Sequence, residues 1–340
     1  VTYADDEFVQ RLPKVELHVH LEGSMQPSTL LQLLAKHRGL SALEAIPNSP
    51  DALREWYAFR DFAHFIEVYL ASVEVLRDPE DFELLSRTTA LGLAAQQVRY
   101  AEVTWSPQLH LGRGLPLAEV FAGLEQGRRA AEAESGVVLR WVTDVSGHLG
   151  PDEAERALDA VLELEAPSVI GFGLGGPEVD RADYAHVFAR ARAAGLRSLP
   201  HAGEVTGPES VWSALDDLGA ERIGHGIAAA RDPRLLARLA AEQVALEVCP
   251  TSNVRTRVVP SLAEHPLRRL LDAGVPVTIA SDDPPMFGTT LHQEHLACLQ
   301  QLGLRRAELM ETVAVGVRAS SAPEPLRQRV LEELAAVPLD

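Results

Sequence analysis

The segment Val15-Glu16-Leu17-His18-Val19-His20 carries two imidazoles two residues apart. In a strand, alternation sends Val15, Leu17 and Val19 to one face and Glu16, His18 and His20 to the other. Two neutral nitrogen donors then point the same way, just ahead of a break at Leu21-Glu22-Gly23-Ser24. That geometry suits one divalent metal. Alone the pair is a weak sign, because histidines at strand ends are common on protein surfaces. Its weight depends on whether distant parts of the chain supply more donors.

The elements that would bring such donors together repeat along the chain. An apolar, β-branched run is followed by a polar or Gly-rich break and then an amphipathic helix. The runs Val15–His20, Val98–Trp105, Val138–Asp144, Val169–Leu174, Leu196–His201, Arg222–Gly226, Val244–Cys249 and Val275–Ser281 are eight expected strands. Pro116, Pro151 and Pro208 suit first helical positions, and Gly136, Gly195, Gly219 and Gly274 suit positions just past a helix. Ala182–Ala194 has the spacing of a half-buried helix. Eight strands alternating with helices imply parallel pairing and an α/β fold. The near-continuous run Val244-Ala245-Leu246-Glu247-Val248 fits a sheet covered by helices. A (βα)8 TIM barrel is the economical closure, with an open doubly wound sheet as the alternative. Residues 1–340 then form one domain. Its excess length over the roughly 250 residues of such barrels falls mostly between the first two strands. This helical insertion, about 25–97, contains the aromatic stretch Trp56–Tyr69. That stretch is expected to pack on the barrel and, as a lid, to shield a pocket above the first strand.

Chemistry on a parallel barrel sits at the C-terminal strand ends. Strand one ends in His18 and His20, strand five in Pro200-His201-Ala202-Gly203-Glu204, and strand six in Gly224-His225-Gly226. Strand seven ends in Cys249-Pro250-Thr251-Ser252-Asn253, and strand eight in Ser281-Asp282-Asp283-Pro284. Taken singly, His201 reads equally well as a loop histidine, and Asp282-Asp283 as a helix cap. Taken together, nitrogens of His18, His20 and His201 with an oxygen of Asp282 make a set suited to zinc, with a place left for water. Zinc lowers the pKa of a bound water to near neutrality. Glu204 is placed to carry a proton, His225 to hold the attacking oxygen in line, and Asp283 to accept a proton or a hydrogen bond. Burial near other acids would raise the Glu204 carboxyl, which suits an acid. The fourth strand has no lysine to bridge two metals, and Lys14 and Lys36 lie too early in the chain, so one zinc per chain is expected.

The totals bound the rest. The 340 residues carry a formal net charge of −18, with no basic cluster, which argues against nucleic acid as a partner. No run approaches a membrane span, and the acidic first ten residues lack the pattern of a signal peptide, so a cytoplasmic protein is expected. Two cysteines, Cys249 and Cys298, are too few for a disulfide framework.

The five strand-end motifs, in order and at barrel-like spacing from about Leu12 past Thr290, resemble the adenosine deaminase family of the amidohydrolase superfamily. The zinc deaminases with H-x-E and P-C-x-x-C are a different fold, and that second motif is missing. The resemblance implies hydrolysis of a 6-aminopurine to its 6-oxo product with release of ammonia. It implies that His18, His20, His201 and Asp282 hold zinc and that Glu204 shares a proton with purine N1. It further implies that His225 orients the attacking oxygen, that Asp283 binds it and reaches N7, and that the Gly176 backbone meets N3. His20 and Glu22 match positions facing the substrate.

Two departures bear on the substrate. Members acting on adenosine usually carry Asp where this chain has Glu22, and an Ala-Gly-Asp-Glu run where it has Gly175-Gly176-Pro177-Glu178. The serine pair usual at that place in the adenine-specific branch is absent. The stretches Phe59–Tyr69 and Gly171–Glu178 resemble bacterial members that deaminate aminodeoxyfutalosine. The expected substrate is therefore a purine nucleoside, adenosine or a 5′-substituted adenosine. Adenine deamination is the alternative, and a non-catalytic purine-binding relative is the alternative of another class. Metal-dependent hydrolysis of a lactone or phosphoester is disfavoured by the missing bridging lysine. Ser106, Asp144 and Ser146 are even choices between substrate contact and turn, while His64, His292 and His295 read as structural.

Overall fold

All eight expected strands form, and every pairing between them is parallel. The computed structural model describes residues 3–339. Strands β1 (Lys14–His20), β2 (Val98–Trp105), β3 (Val138–Ser146), β4 (Val169–Gly175) and β5 (Arg197–Ser198) pair in that order. A second run pairs β6 (His201–Ala202), β7 (Arg222–His225), β8 (Ala245–Val248) and β9 (Val277–Ile279).

The fifth expected strand is thus split into β5 and β6. Pro200 has no N–H to give to a ladder, but hydrogen bonding continues on both sides of the break. The Leu199 N–H donates to the Phe172 carbonyl at 2.9 Å, and the Gly224 N–H to the Pro200 carbonyl at 3.0 Å. The last strand starts two residues later than expected, after Pro276, and ends two residues earlier. Beyond its end, Val19 bridges Asp282 in parallel, and the His20 N–H donates to the Asp282 carbonyl at 2.9 Å. Last strand meets first, so the sheet closes into a barrel and the open-sheet alternative is excluded.

Two apolar cores lie between the barrel and its helices. One gathers Val103, Trp105, Leu139, Trp141 and Phe172 with the helices outside β1–β4. The other gathers Val15, Leu17, Ile223, Leu246 and Val277 with the helices outside β6–β9. The barrel interior differs from the usual stack of branched apolar side chains. The fully buried Arg222 is clamped between the carboxylates of Glu102 and Glu247. Glu16 accepts from the Ser281 hydroxyl at 2.6 Å. Buried charge such as that of Arg222 persists only when paired, whereas burial raises the Glu16 carboxyl to about 8.

Between β1 and β2 the chain forms helices Pro27–Lys36, Pro50–Trp56, Phe62–Val73 and Pro79–Ala94. Ser49, Asp61 and Asp78 cap the last three by accepting from backbone N–H groups. Helix Pro79–Ala94 runs against helix Leu117–Ser135 outside the barrel. Helix Phe62–Val73 instead lies over the strand ends. Phe65 packs on Phe59 and on Phe287, with ring centroids 5.3 and 4.9 Å apart. Those contacts fasten the aromatic stretch to the segment that follows Asp283. Among the described residues no helix is long and apolar enough to cross a membrane.

Candidate active site and metal centre

Four side-chain atoms from three separated stretches converge at the C-terminal mouth of the barrel. His20 Nε2 lies 3.2 Å from His201 Nε2 and 3.4 Å from Asp282 Oδ1. His18 Nε2 lies 3.7 Å from the same Asp282 oxygen and has no hydrogen-bond partner despite being buried. Donors held ~2.0–2.1 Å from one tetrahedral centre lie roughly 3.3–3.4 Å from one another. The observed separations of 3.2, 3.4 and 3.7 Å lie near that spacing, and the orphaned His18 nitrogen is what a ligand position would leave. The residues therefore fit a divalent metal.

Their surroundings prepare them for it. His18 Nδ1 donates to Glu247 Oε2 at 2.8 Å, which leaves Nε2 as the nitrogen available to a metal. Burial opposes charge on this ring, but Glu247 and Asp282 outweigh it and raise the imidazole, so a metal there would displace a proton. The ring fits because position 224 is glycine; a Cβ there would approach His18 Cε1 to 2.6 Å. Burial holds His20 at about 4 and pulls His201 well below the imidazole norm, so both are neutral donors. Asp282 is held at about 2: burial opposes ionisation, but the surrounding histidines and the Ser252 hydroxyl outweigh it. Ser252 Oγ donates to Asp282 Oδ2 at 2.5 Å. Cys249 also lies near His18 and Asp282, but burial pushes its thiol up, so it stays protonated.

Beside the four donors sit the other expected groups. His225 Nε2 is 3.7 Å from Glu204 Oε2 and 3.8 Å from Asp282 Oδ2. Burial, then the charges of Asp282 and Glu178, push the Glu204 carboxyl well up. Burial and Asp282 do the same to Asp283, whose Oδ1 has no partner. A side chain at position 23 would collide with that carboxylate, so Gly23 makes room for it. His225 and Asp282 hold positive φ values of 59° and 64°. Such strain in residues other than glycine clusters at functional positions.

These residues face an open-mouthed cavity of about 670 Å³, counting the space at its mouth. His20, His201, Glu204, His225, Asp282, Asp283 and Gly176 line it. So do Ser106, Asp144 and Ser146 on the barrel side and Phe62, Ile66, Tyr69 and Leu70 on the helical side.

Glu22 departs from the sequence expectation. It has no exposed surface and is not on the cavity wall. Its carboxylate accepts from His110 Nε2 at 2.9 Å, the Ser106 N–H at 3.1 Å and the Tyr69 hydroxyl at 3.4 Å. The longer side chain reaches past the cavity into the wall behind it, and its oxygens are used there.

The structure brings to the site three residues to which the sequence analysis gives no role, Glu247, Asn253 and Glu178, and places two that it weighs, Asp144 and His64. Glu247 was counted within an apolar run; a carboxylate in the middle of a buried strand was the available signal. Asn253 Nδ2 and His225 Nδ1 are 3.2 Å apart. Glu178 accepts backbone N–H groups from Gly203, Glu204, Val205 and Thr206, which shapes the turn that presents Glu204. Asp144 lies with Oδ2 3.7 Å from His201 Nδ1, and burial pushes its carboxyl up to about 7. His64 is off the cavity wall, and its Nδ1 accepts from the Arg60 N–H.

Comparison with known proteins bears on this geometry. An adenosine deaminase family model matches residues 13–337. An aminodeoxyfutalosine deaminase of Streptomyces coelicolor is 47% identical over 331 residues, covering 96% of this chain and 84% of that protein. The crystal structure of an adenine deaminase from Arthrobacter aurescens superimposes with a TM-score of 0.91 at 35% identity, covering 95% of this chain and 98% of that one. An amidohydrolase from Burkholderia ambifaria, solved with bound zinc, gives 0.86 at 27% identity, covering 99% and 96%. A family match over nearly the whole length, with relatives of this identity and coverage, shows that the chain belongs to the adenosine deaminase family.

Proposed function

We propose that the protein is a zinc-dependent hydrolase that replaces the 6-amino group of a purine nucleoside with oxygen and releases ammonia. The observation that carries this reading is the convergence of His18, His20, His201 and Asp282 beside Glu204, His225 and Asp283 on one cavity. The donor set suits one zinc ion, and the zinc in the 27%-identical neighbour agrees with it. Bound there, the ion would supply Lewis-acid activation of a water at neutral pH.

The chain's own groups then account for the proton movements. Glu204, kept neutral by burial, donates to ring N1 and makes C6 electrophilic. His225 holds the attacking water in line, and Asp283, kept neutral by burial and by Asp282, accepts a hydrogen bond from that water and donates its own proton to N7. Gly176, on the cavity wall beside Ser146, offers its backbone toward N3. Water adds at C6 and gives up both its protons: one replaces the proton that Glu204 gave to N1, the other goes to the amine, which leaves as ammonia while the ring keeps the oxygen.

The substrate is read as a 5′-substituted adenosine such as 6-amino-6-deoxyfutalosine. The 47%-identical relative is named for that activity. Ser106, Ser146, Phe62 and Leu70 also line the cavity that holds the donor cluster, which offers polar and apolar surface to a group beyond the purine. Adenine itself is the second reading, favoured by the similarity to an adenine deaminase at a TM-score of 0.91. Steady-state kinetics on adenine, adenosine and 5′-substituted adenosines, read by ammonia release, tests both. The highest kcat/KM is expected on a 5′-substituted nucleoside. A preference for the free base would favour the second reading, and no turnover of any of them by zinc-loaded protein would sink both.

A further inference from the structure

A neutral imidazole has one nitrogen that donates and one that accepts, and its neighbours decide which is which. His225 belongs to a chain of such groups with one end that cannot reverse. The backbone N–H of Leu267 donates to His265 Nδ1 at 3.1 Å. That nitrogen must therefore be the acceptor, and the His265 proton sits on Nε2. His265 Nε2 lies 3.2 Å from Asn253 Oδ1, so it donates there. This orients the Asn253 amide, whose Nδ2 donates to His225 Nδ1 at 3.2 Å. The remaining His225 proton is on Nε2, the nitrogen that faces Glu204 and Asp282.

The relay is enclosed. Asn253 has no exposed surface, and His225 and His265 are at 1% and 6%. The Asn253 carbonyl also accepts from the Val259 N–H at 2.9 Å, which fixes the loop between the two relay residues.

We propose that Asn253 and His265 are positioning residues that lock His225 into its Nε2–H tautomer, so that His225 donates to the attacking water rather than taking a proton from it. This deepens the functional reading above and rests on it for the water; the tautomer itself does not depend on the substrate.

The test reads the tautomer directly. Nitrogen-15 spectra of histidine-labelled, zinc-loaded protein should give His225 a protonated Nε2 and an unprotonated Nδ1, with the signal assigned by its loss in His225→Gln. A protonated Nδ1 would overturn the proposal, even in an active deaminase; absent deaminase activity with a protonated Nε2 would leave it standing. Asn253→Asp offers only acceptors and should move the His225 proton to Nδ1. Inverting the tautomer of a catalytic histidine costs on the order of 10³–10⁴-fold in kcat, and that loss is expected here with KM within about tenfold and zinc content unchanged. His265→Gln keeps a donor toward Asn253 and should retain kcat within about tenfold, while His265→Leu should lose about 10²-fold or more. Equal rates in Gln and Leu variants, with the His225 signature unchanged in both, would show that the relay sets nothing.

Discussion

The backbone N–H of Glu204 donates to Oε1 of Glu178 at 2.7 Å. Three further N–H groups, from Gly203, Val205 and Thr206, reach the same carboxylate, as do the Thr206 hydroxyl at 2.6 Å and the Arg181 guanidinium at 2.7 Å. One buried anion thus organises the turn that aims the proposed proton carrier.

Glu178→Gln removes one acceptor oxygen and the charge facing Arg181. It should lower kcat by about 10²-fold through misplacement of Glu204. Burial alone would raise the Glu178 carboxyl, but the Arg181 charge and the hydrogen bonds from Thr206, Val205 and Gly203 hold it at about 2. A depressed folded-state carboxyl stabilises the native state above its unfolded pKa and loses that contribution as pH falls through the folded value. Denaturant melts should therefore show wild type ahead of Glu178→Gln by on the order of 3 kcal/mol at pH 7, with the gap unchanged down to about 4.5 and shrinking toward 2.

Glu204→Gln keeps the size of the side chain and takes away its exchangeable acid proton. Turnover should fall by about 10²–10⁴-fold. Metal content and fold should be unchanged, because Glu204 is not among the four converging donors. Turnover near wild type in this variant would remove Glu204 from the acid role.

Chelation should abolish activity and lower the melting temperature, and one equivalent of zinc per chain should restore both. Glu247→Gln should weaken metal affinity by about 10–100-fold without touching a ligand, because Glu247 Oε2 holds His18 Nδ1. Zinc titration followed by elemental analysis separates these outcomes; two equivalents bound would contradict the one-metal reading.

Glu22→Ala should act through the fold as well as on the substrate. It strips a buried acceptor from His110, Ser106 and Tyr69 and should cost about 3–5 kcal/mol of stability. KM should rise with it, because Ser106 and Tyr69 form part of the cavity wall. A raised KM at unchanged stability would instead return Glu22 to direct contact with the substrate.

Amino-acid order alone determined the alternation of strand and helix, and with it the barrel. Period-two apolar runs and the Gly and Pro marks between them are local properties that survive in a linear string. The convergence of His18, His20, His201 and Asp282 was legible for the same reason: they stand at strand ends, which a parallel barrel brings to one mouth. What the string could not carry was direction and partnership across it. Whether Glu22 reaches the cavity or the wall behind it depends on where His110 and Ser106 arrive, 88 and 84 residues later. That Glu247 serves His18 across 229 residues, and that Leu267 sets the protons of His265, Asn253 and His225, follow from hydrogen bonds between distant segments. Such bonds exist only once the barrel has closed and water has been excluded, because only then must each buried polar atom find a partner within the protein.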